Sequence, residues 1–474
     1  MSDYTGPDLC ALTACEAVDL LEKGDVAPVE LIDAALSRID AVDPAINAMP
    51  TLCPDRARAH SARLDRGDAA PWLAGLPVAI KDLTDVAGVR TTYGTKGFAD
   101  HVPTASDPLV ERLETRGCIV IGKSNTPEMG AGGNTFNDVL GRTRNPWNTD
   151  LNAGGSSGGA AAALAAGEVW LAHGSDFGGS LRTPAAYCGI VGLRPSPGRA
   201  GGGGKDNVYA GEGVQGPMAR TVEDCALFLD ALTGFDPRIA LSLEAPARSF
   251  LRAVREAEPP KRIAFAPDLG GYAPVEPEIA ELLAAAMKRF AGAGVDVVEA
   301  APDVGGLADT YDTLRAMNWA AGPGRAPASI RKHYKPALEG NLQRGEALSS
   351  AQIYDAIRER SRLFNATQKF LETYEAIACP VIGLAALNAE IEYPTEVGGE
   401  PATDYMSWLR FSNLATVTGL PAISVPIGMT KSGAPMGIQL IGRPRGEAAL
   451  LRAARVMEEV TTGFGLPIDP RAPV

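Results

Sequence analysis

Gly154-Gly-Ser-Ser-Gly-Gly159, followed closely by Ser175-Asp-Phe-Gly-Gly-Ser-Leu-Arg182, is the stretch on which the reading of this chain turns. Residues 154–216 hold 18 of the 53 glycines in 63 positions, and the other 411 positions hold 35. Outside that segment glycine is close to its ordinary share of about 7%. The surplus therefore marks one region where backbone turns tightly, not a loose chain. Gly158 to Ala166 is built of small residues and reads as a short helix closed by Gly167. The serines on either side of it stand among glycines that leave backbone amides unshielded.

Three chemistries fit a serine-containing glycine loop. A phosphate cradle needs the Gly-Lys-Ser/Thr end of a Walker loop or the spacing of a dinucleotide fingerprint, and neither is present. A nucleophile elbow, Gly-x-Ser-x-Gly, matches around both Ser156 and Ser157. It requires a histidine base, and His333 is the only histidine after Ser180. The third chemistry uses a lysine made neutral by burial, because desolvation disfavours the ammonium form. Lys81 closes the apolar run Leu76-Pro-Val-Ala-Ile-Lys81, and only eleven of the 44 basic residues are lysines. The competing reading of Lys81 is a strand-end side chain that snorkels to solvent.

Outward from this segment, short apolar runs alternate with helical patterns. Strands are expected at 76–80, 118–121, 262–266, 295–298 and 376–382. Ser106-Asp-Pro-Leu opens a helix to Arg116, Thr221 caps one running to Gly234, and Pro277 to Ala293 and Glu447 to Val460 are two more. Residues 11–43 have helical periodicity punctuated by Gly24 and Pro28, and 300–375 are mostly helical. Ala422–Ile427 and Met436–Ile441 flank Thr430-Lys-Ser-Gly433 as a hairpin. The expected fold class is α/β. A single large mixed, mostly parallel sheet is covered by helices on both faces. No linker or repeat divides the chain, so 1–474 reads as one domain. Its parts are a helical 1–70, a core at 71–235, a variable pocket-building 236–375, and closing strands and helix at 376–474.

Lys81 after its strand, Gly154–Gly159 and Asp176–Arg182 together closely resemble the amidase signature family. So do Lys123-Ser-Asn-Thr-Pro-Glu-Met-Gly130, Pro184-Ala-Ala-Tyr-Cys-Gly-Ile-Val-Gly-Leu-Arg-Pro195 and Gly419-Leu-Pro-Ala-Ile-Ser-Val-Pro426. The likeness spans roughly residues 10–460, and the 24-residue step from Ser156 to Ser180 matches the family's two catalytic serines. The resemblance implies a Ser-Ser-Lys triad, with Ser180 as nucleophile, Ser156 as bridging serine behind a cis Gly155–Ser156 bond, and Lys81 as base. It implies an oxyanion hole from the backbone amides of Phe177, Gly178, Gly179 and Ser180, and an acyl side lined by Met129, Gly130 and Ala131. The reaction implied is hydrolysis of a small non-peptide carboxamide through an acyl-enzyme, with no metal and no cofactor. Two alternatives stand beside it. One is the glutaminase subunit of a tRNA-dependent amidotransferase. The other is a Ser-His-Asp hydrolase using Ser157 and His333.

The remaining residues near the motif read as structural. Ser157 is expected to cap helix 158–166. Asp176 and Arg182 are expected to pair or fix the turn, and Asp82 to hold local backbone. His173 is expected to be a satisfied core histidine, and Cys188 a packing residue. Tyr311, Trp319 and Trp408 are candidates for the pocket wall. The run Gly201–Gly204 reads as a mobile surface loop bordering the pocket. Amidotransferase subunits of the family usually approach this Gly-Pro through a Ser-x-Asp-Gln-like segment. Here Val214-Gln215 precedes Gly216-Pro217, and the aspartate is missing.

Charge and cysteine usage bound the partners. The net charge is −13 without a Lys/Arg cluster, which argues against a nucleic-acid backbone as ligand. Seven scattered cysteines without Cys-x-x-Cys read as reduced thiols, and the four histidines have no metal-ligand spacing. The N-terminal residues carry no basic and apolar leader pattern. The expectation is a cytoplasmic enzyme for a small-molecule amide, with no membrane or nucleic-acid partner and a homodimer left open.

Overall fold

In a computed structural model of the protein, the structure describes residues 4–64, 72–201, 207–461 and 464–473. Eleven strands form one sheet. Across it they run Thr51–Leu52, Ile119–Ser124, Pro77–Lys81, Leu171–Asp176, Val214–Ala219, Val191–Arg194, Ala422–Met429, Pro435–Gly442, Ala376–Pro380, Arg262–Phe265 and Asp296–Glu299. Every residue of Pro77–Lys81, Ile119–Ser124, Ala376–Pro380 and Pro435–Gly442 is buried. Successive side chains point to opposite faces, so both faces of the sheet are covered there. The edge strand Asp296–Glu299 is partly exposed along its length.

The α/β class and the single mixed sheet stand as expected, but the strands are not mostly parallel. Four of the ten neighbouring pairs are parallel. Six are antiparallel. Two of the parallel pairs are strand–helix–strand units visible in sequence. Pro77–Lys81 reaches Ile119–Ser124 through helix Pro108–Thr115, and Arg262–Phe265 reaches Asp296–Glu299 through helix Pro277–Gly292. The centre is antiparallel because Val214–Ala219 inserts between two earlier strands and because 422–442 is a hairpin. Local alternation of strand and helix dictates crossovers between consecutive strands only. It says nothing about the direction of a strand arriving from far along the chain.

Local signals behave as their chemistry requires. The Asp107 side chain accepts from the Leu109 amide ahead of a helix that opens on Pro108. Thr221 accepts from the Asp224 amide at the head of Val222–Leu232. In the hairpin, the Thr430 amide donates to the Ala434 carbonyl, and Gly433 takes φ +81°. The small-residue helix Gly158–Ala166 has all nine residues buried, as a helix without a polar face must.

The glycine surplus has a packing cause. Gly174, Gly216 and Gly192 lie on three neighbouring strands, Gly216 directly opposite Gly174. A Cβ at Gly174 would stand 2.7 Å from Leu181 Cδ2, and one at Gly216 2.6 Å from Leu181 Cδ1. At Gly192 it would run into the Leu181 carbonyl. Leu181, which follows Ser180, therefore rests in a slot that only glycines leave open. Gly174→Val is expected to destabilise the protein by about 1–3 kcal/mol through overpacking against the Leu181 side chain, the nearest atom to a Cβ there. In urea unfolding that cost should shrink when Leu181→Ala is also present. An undiminished cost would mean that Leu181 does not fill the slot.

Candidate active site

Lys81 ends the strand Pro77–Lys81, whose parallel neighbour is Leu171–Asp176 through Val78–Leu171 and Ala79–Ala172. Parallel neighbours bring their carboxyl ends to one side of the sheet, where a crevice can form. There the Lys81 side chain does not snorkel; it is fully buried. Its Nζ lies 2.7 Å from Ser156 Oγ, 2.8 Å from Ser157 Oγ and 3.1 Å from Ser175 Oγ. Burial pulls its pKa down to about 7, with the negative charge of Asp176 opposing. Near pH 7 both forms of the amine are thus well populated.

Ser156 follows a cis Gly155–Ser156 peptide bond, as the resemblance implies. A Cβ on Gly155 would lie 2.7 Å from the Gly132 carbonyl oxygen and 2.9 Å from Gly133 C, so the loop presses against another backbone here. Ser157 occupies the N-cap position of Gly158–Ala166, but its side chain makes no capping bond. The expected cap is therefore corrected. The Gly158 amide donates to Thr135 Oγ1 and the Gly159 amide to the Asn125 carbonyl. That leaves the Ser157 hydroxyl beside Lys81, where it also donates to the Ser175 carbonyl at 3.3 Å.

The turn carrying Ser180 is held from below by Asp176. Arg182 grips this carboxylate with two nitrogens, Nε at 3.0 Å and Nη2 at 2.9 Å, and Arg194 Nη1 stands 3.3 Å away. The amides of Gly179 and Leu181 donate to the same carboxylate, each at 3.1 Å. Burial alone would raise the Asp176 pKa, but the two guanidiniums and the backbone bonds outweigh it and hold the group well below the usual carboxylate range. Asp176 and Arg182 thus fix the turn as expected. One expected oxyanion donor is corrected: the Gly179 amide is already committed to Asp176. Gly178 and Ser180 face the cavity beside Phe177, and Gly179 does not line it.

A cavity of about 250 Å³ opens over this turn. Ser156, Ser175 and Ser180 reach it, and Ser157 does not. Met129 and Gly130 line it, whereas Ala131 is buried outside the lining. Trp319 is a wall residue. Tyr311 packs edge-on against Phe177 behind the turn, and Trp408 is buried with its indole donating to the Tyr405 carbonyl. His333 is exposed, whereas Ser157 is fully buried with its hydroxyl bonded to Lys81 and the Ser175 backbone, so the structure does not bring the two together. His173 is buried against Gln215 Oε1 at 2.7 Å, and burial lowers its pKa to about 3 despite that bond. Asp82 holds the Thr92 amide and hydroxyl, and Lys123 stands 3.4 Å from it. Cys188 is fully buried, which raises its pKa. Of the run Gly201–Gly204, positions 202–204 lie outside the described residues. Among the described residues, no group of three or more His, Cys, Asp or Glu is placed to hold a metal, and no helix is long and apolar enough to cross a membrane.

Sequence reasoning passed over Ser175, Arg315, Asn318, Met406 and Leu409 as lining residues. Ser175 had a signal. It stands one residue before the end of the strand beside Lys81's own, so its hydroxyl was within reach of that amine. The other four come from helix Leu307–Ala321 and the segment Ser407–Ser412 with the preceding Met406, which approach the signature core only through folding.

Residues 30–451 match the family model described as Amidase. The chain is 33% identical to an acylamidase from Rhodococcus erythropolis over 96% of this chain and 97% of that protein. It is 32% identical to one component of the glutamyl-tRNA(Gln) amidotransferase from Geobacter metallireducens, over 96% and 98% respectively. Among solved structures it superposes on a bacterial aryl acylamidase of the amidase signature family with a TM-score of 0.87 and 28% identity, covering 95% of this chain and 96% of that one. A 6-aminohexanoate cyclic dimer hydrolase bound to its substrate gives a TM-score of 0.86 at 27% identity, covering 98% and 99%.

Removing the charge beneath the turn should be severe. Asp176→Asn leaves two buried guanidiniums without their anion, and a loss of about 3–5 kcal/mol is expected in urea unfolding. A variant as stable as the parent would show that the pairs carry no net weight.

Proposed function

Since the chain belongs to the amidase signature family of carbon–nitrogen bond hydrolases, we propose that it cleaves a small non-peptide carboxamide through Ser180, Ser156 and Lys81. The observation that carries this reading is the fully buried Lys81 amine, held by serine hydroxyls and with a pKa of about 7. A lysine in that state accepts a proton at neutral pH, which an exposed ammonium does not. Two hydroxyls are almost equidistant from it, and exposure to the cavity favours Ser156. Ser156 lines the cavity together with Ser180, whereas the Ser157 hydroxyl is bound to the Ser175 backbone.

In this mechanism neutral Lys81 takes the Ser156 proton while Ser156 takes the Ser180 proton. Ser180 Oγ then bonds to the amide carbonyl carbon, and the carbonyl π pair moves to oxygen. Amides of the Phe177-Gly178 turn and of Ser180 receive that oxyanion; one such donor is worth about 2.7–4 kcal/mol. Collapse breaks the C–N bond, and Ser156 passes a proton to the leaving nitrogen as Lys81 returns one to Ser156. Water repeats the relay on the acyl-enzyme and releases the carboxylic acid. All seven cysteines are free thiols, which fits the cytoplasmic setting read from the sequence. The likeness to amidotransferase components keeps a glutaminase working with partners as a second reading. Purified chain acting alone on simple amides favours the first; turnover of glutamine only when partner proteins are added favours the second.

Lys81→Met, Ser156→Ala and Ser180→Ala are each expected to lower kcat/KM by about a hundredfold or more. A fluorophosphonate probe should label the parent at Ser180 and not the Ser180→Ala variant. Full activity of Ser180→Ala would sink the proposal. Because the working form of Lys81 is the neutral one, kcat/KM should fall about tenfold per pH unit below a midpoint near 7 and level off above it. A flat profile between pH 5 and 7 would remove Lys81 as the base.

A further inference from the structure

Among the described residues, Arg315 is the one in the cavity wall whose charge the mechanism does not use. It sits on helix Leu307–Ala321, is only 5% exposed, and lines the same cavity as Ser156 and Ser180. Its guanidinium lies among aromatic rings, 5.4 Å from the centroid of Phe177, 5.2 Å from Trp319 and 5.5 Å from Tyr405. Nη2 donates to Tyr405 Oη at 2.6 Å. Nε and the Tyr311 hydroxyl are both buried without a well-formed hydrogen bond, and the Tyr311 oxygen is close enough to support the guanidinium charge.

No carboxylate stands within 4 Å of this cation among the described residues. The buried acids of the surrounding elements have other partners. Asp176 holds Arg182 and Arg194, and Glu212 holds Arg360. Asp404 pairs with Arg344. Asp312, one turn earlier on the same helix, feels the Arg315 charge, but it is exposed and its carboxylate is not within ion-pair distance of the guanidinium. Aromatic faces attract the cation but do not accept its in-plane N–H groups. A buried arginine with no anion in ion-pair reach is costly, and an anion arriving in the cavity would supply the missing charge. The rest of the wall is largely apolar, with Leu83, Met129, Trp319, Met406 and Leu409. One turn beyond Arg315, Asn318 also lines the cavity.

Resting on the amidase reading, we propose that Arg315 selects amides carrying a carboxylate, joined to the scissile amide by a short apolar spacer. The guanidinium takes the carboxylate, the apolar wall takes the spacer, and the amide carbonyl is left over the Ser180 turn. Monoamides of short dicarboxylic acids and N-acyl amino acids are the two forms of this class. Neutral amides of the same length fill the same space but leave Arg315 unmet.

The test compares kcat/KM for succinamate, glutaramate and adipamate with butanamide, pentanamide and hexanamide, and for N-acetyl amino acids with their amides. The parent enzyme should favour the carboxylates in at least one matched pair by roughly tenfold to a hundredfold, mostly through KM, as expected for a charge-assisted bond to a buried group. Arg315→Met should bring that ratio to about one, and Arg315→Lys should restore part of it. Small monocarboxylates should compete with a neutral amide in the parent enzyme, a readout that does not depend on any variant folding. Turnover of neutral amides without a carboxylate preference and without carboxylate inhibition would overturn the role of Arg315 and leave the amidase reading intact. A preference that survives Arg315→Met would also overturn it. Absence of turnover on every amide would instead remove the proposed function itself.

Discussion

Lys81 keeps a fully buried amine at the end of an all-buried strand, and the rest of the site is arranged around the cost of doing so. Its near neighbours are hydroxyls, which bind either form of an amine, so burial can lower its pKa without leaving it unpartnered. The carboxylate that pulls the other way, Asp176, is shared between Arg182 and Arg194. The same carboxylate also ties down the amides of Gly179 and Leu181. One buried anion thus opposes the effect of burial on the lysine and fixes the shape of the turn that carries Ser180.

Packing extends that constraint into the sheet. Leu181 sits above Gly174, Gly192 and Gly216, so the residue after Ser180 is seated directly on three strands. Gly155 meets another backbone on the far side of Ser156. The two serines are therefore held by close backbone approach, which is why glycine gathers in this stretch. A rigid signature core then faces a wall supplied by helix Leu307–Ala321 and the segment around Met406 and Leu409. The core supplies the serines and the wall supplies Arg315, so the two sides of the cavity come from segments far apart in the chain.

The amidase family, the α/β class with one large sheet, and the stretches that set Lys81 against Ser156 and put Ser156 and Ser180 in one cavity were legible in the linear sequence. Each is carried by a motif or a periodicity contained within a few residues: an apolar strand ending in lysine, a glycine-flanked serine, a capped helix. The antiparallel middle of the sheet was not legible, because Val214–Ala219 pairs on both sides with strands from earlier in the chain. Nor was the occupied Gly179 amide, since the identity of a turn residue does not say which carboxylate its N–H will meet. Ser157 shows the same limit. A serine before a helix ordinarily caps it, but here Thr135, distant in sequence, takes the cap and leaves the hydroxyl beside Lys81.

What the sequence determined by itself is therefore the set of groups that require a particular residue type for local reasons, because backbone conformation and covalent chemistry act over short stretches of chain. What only the tertiary structure decided is which groups share a cavity and which are already spoken for. The exposure of His333 away from Ser157, the commitment of Gly179 to Asp176, and the burial of Arg315 without an anion all depend on distances between segments far apart in the chain. Burial and hydrogen-bond partnership are properties of the packed whole, and no local pattern encodes them.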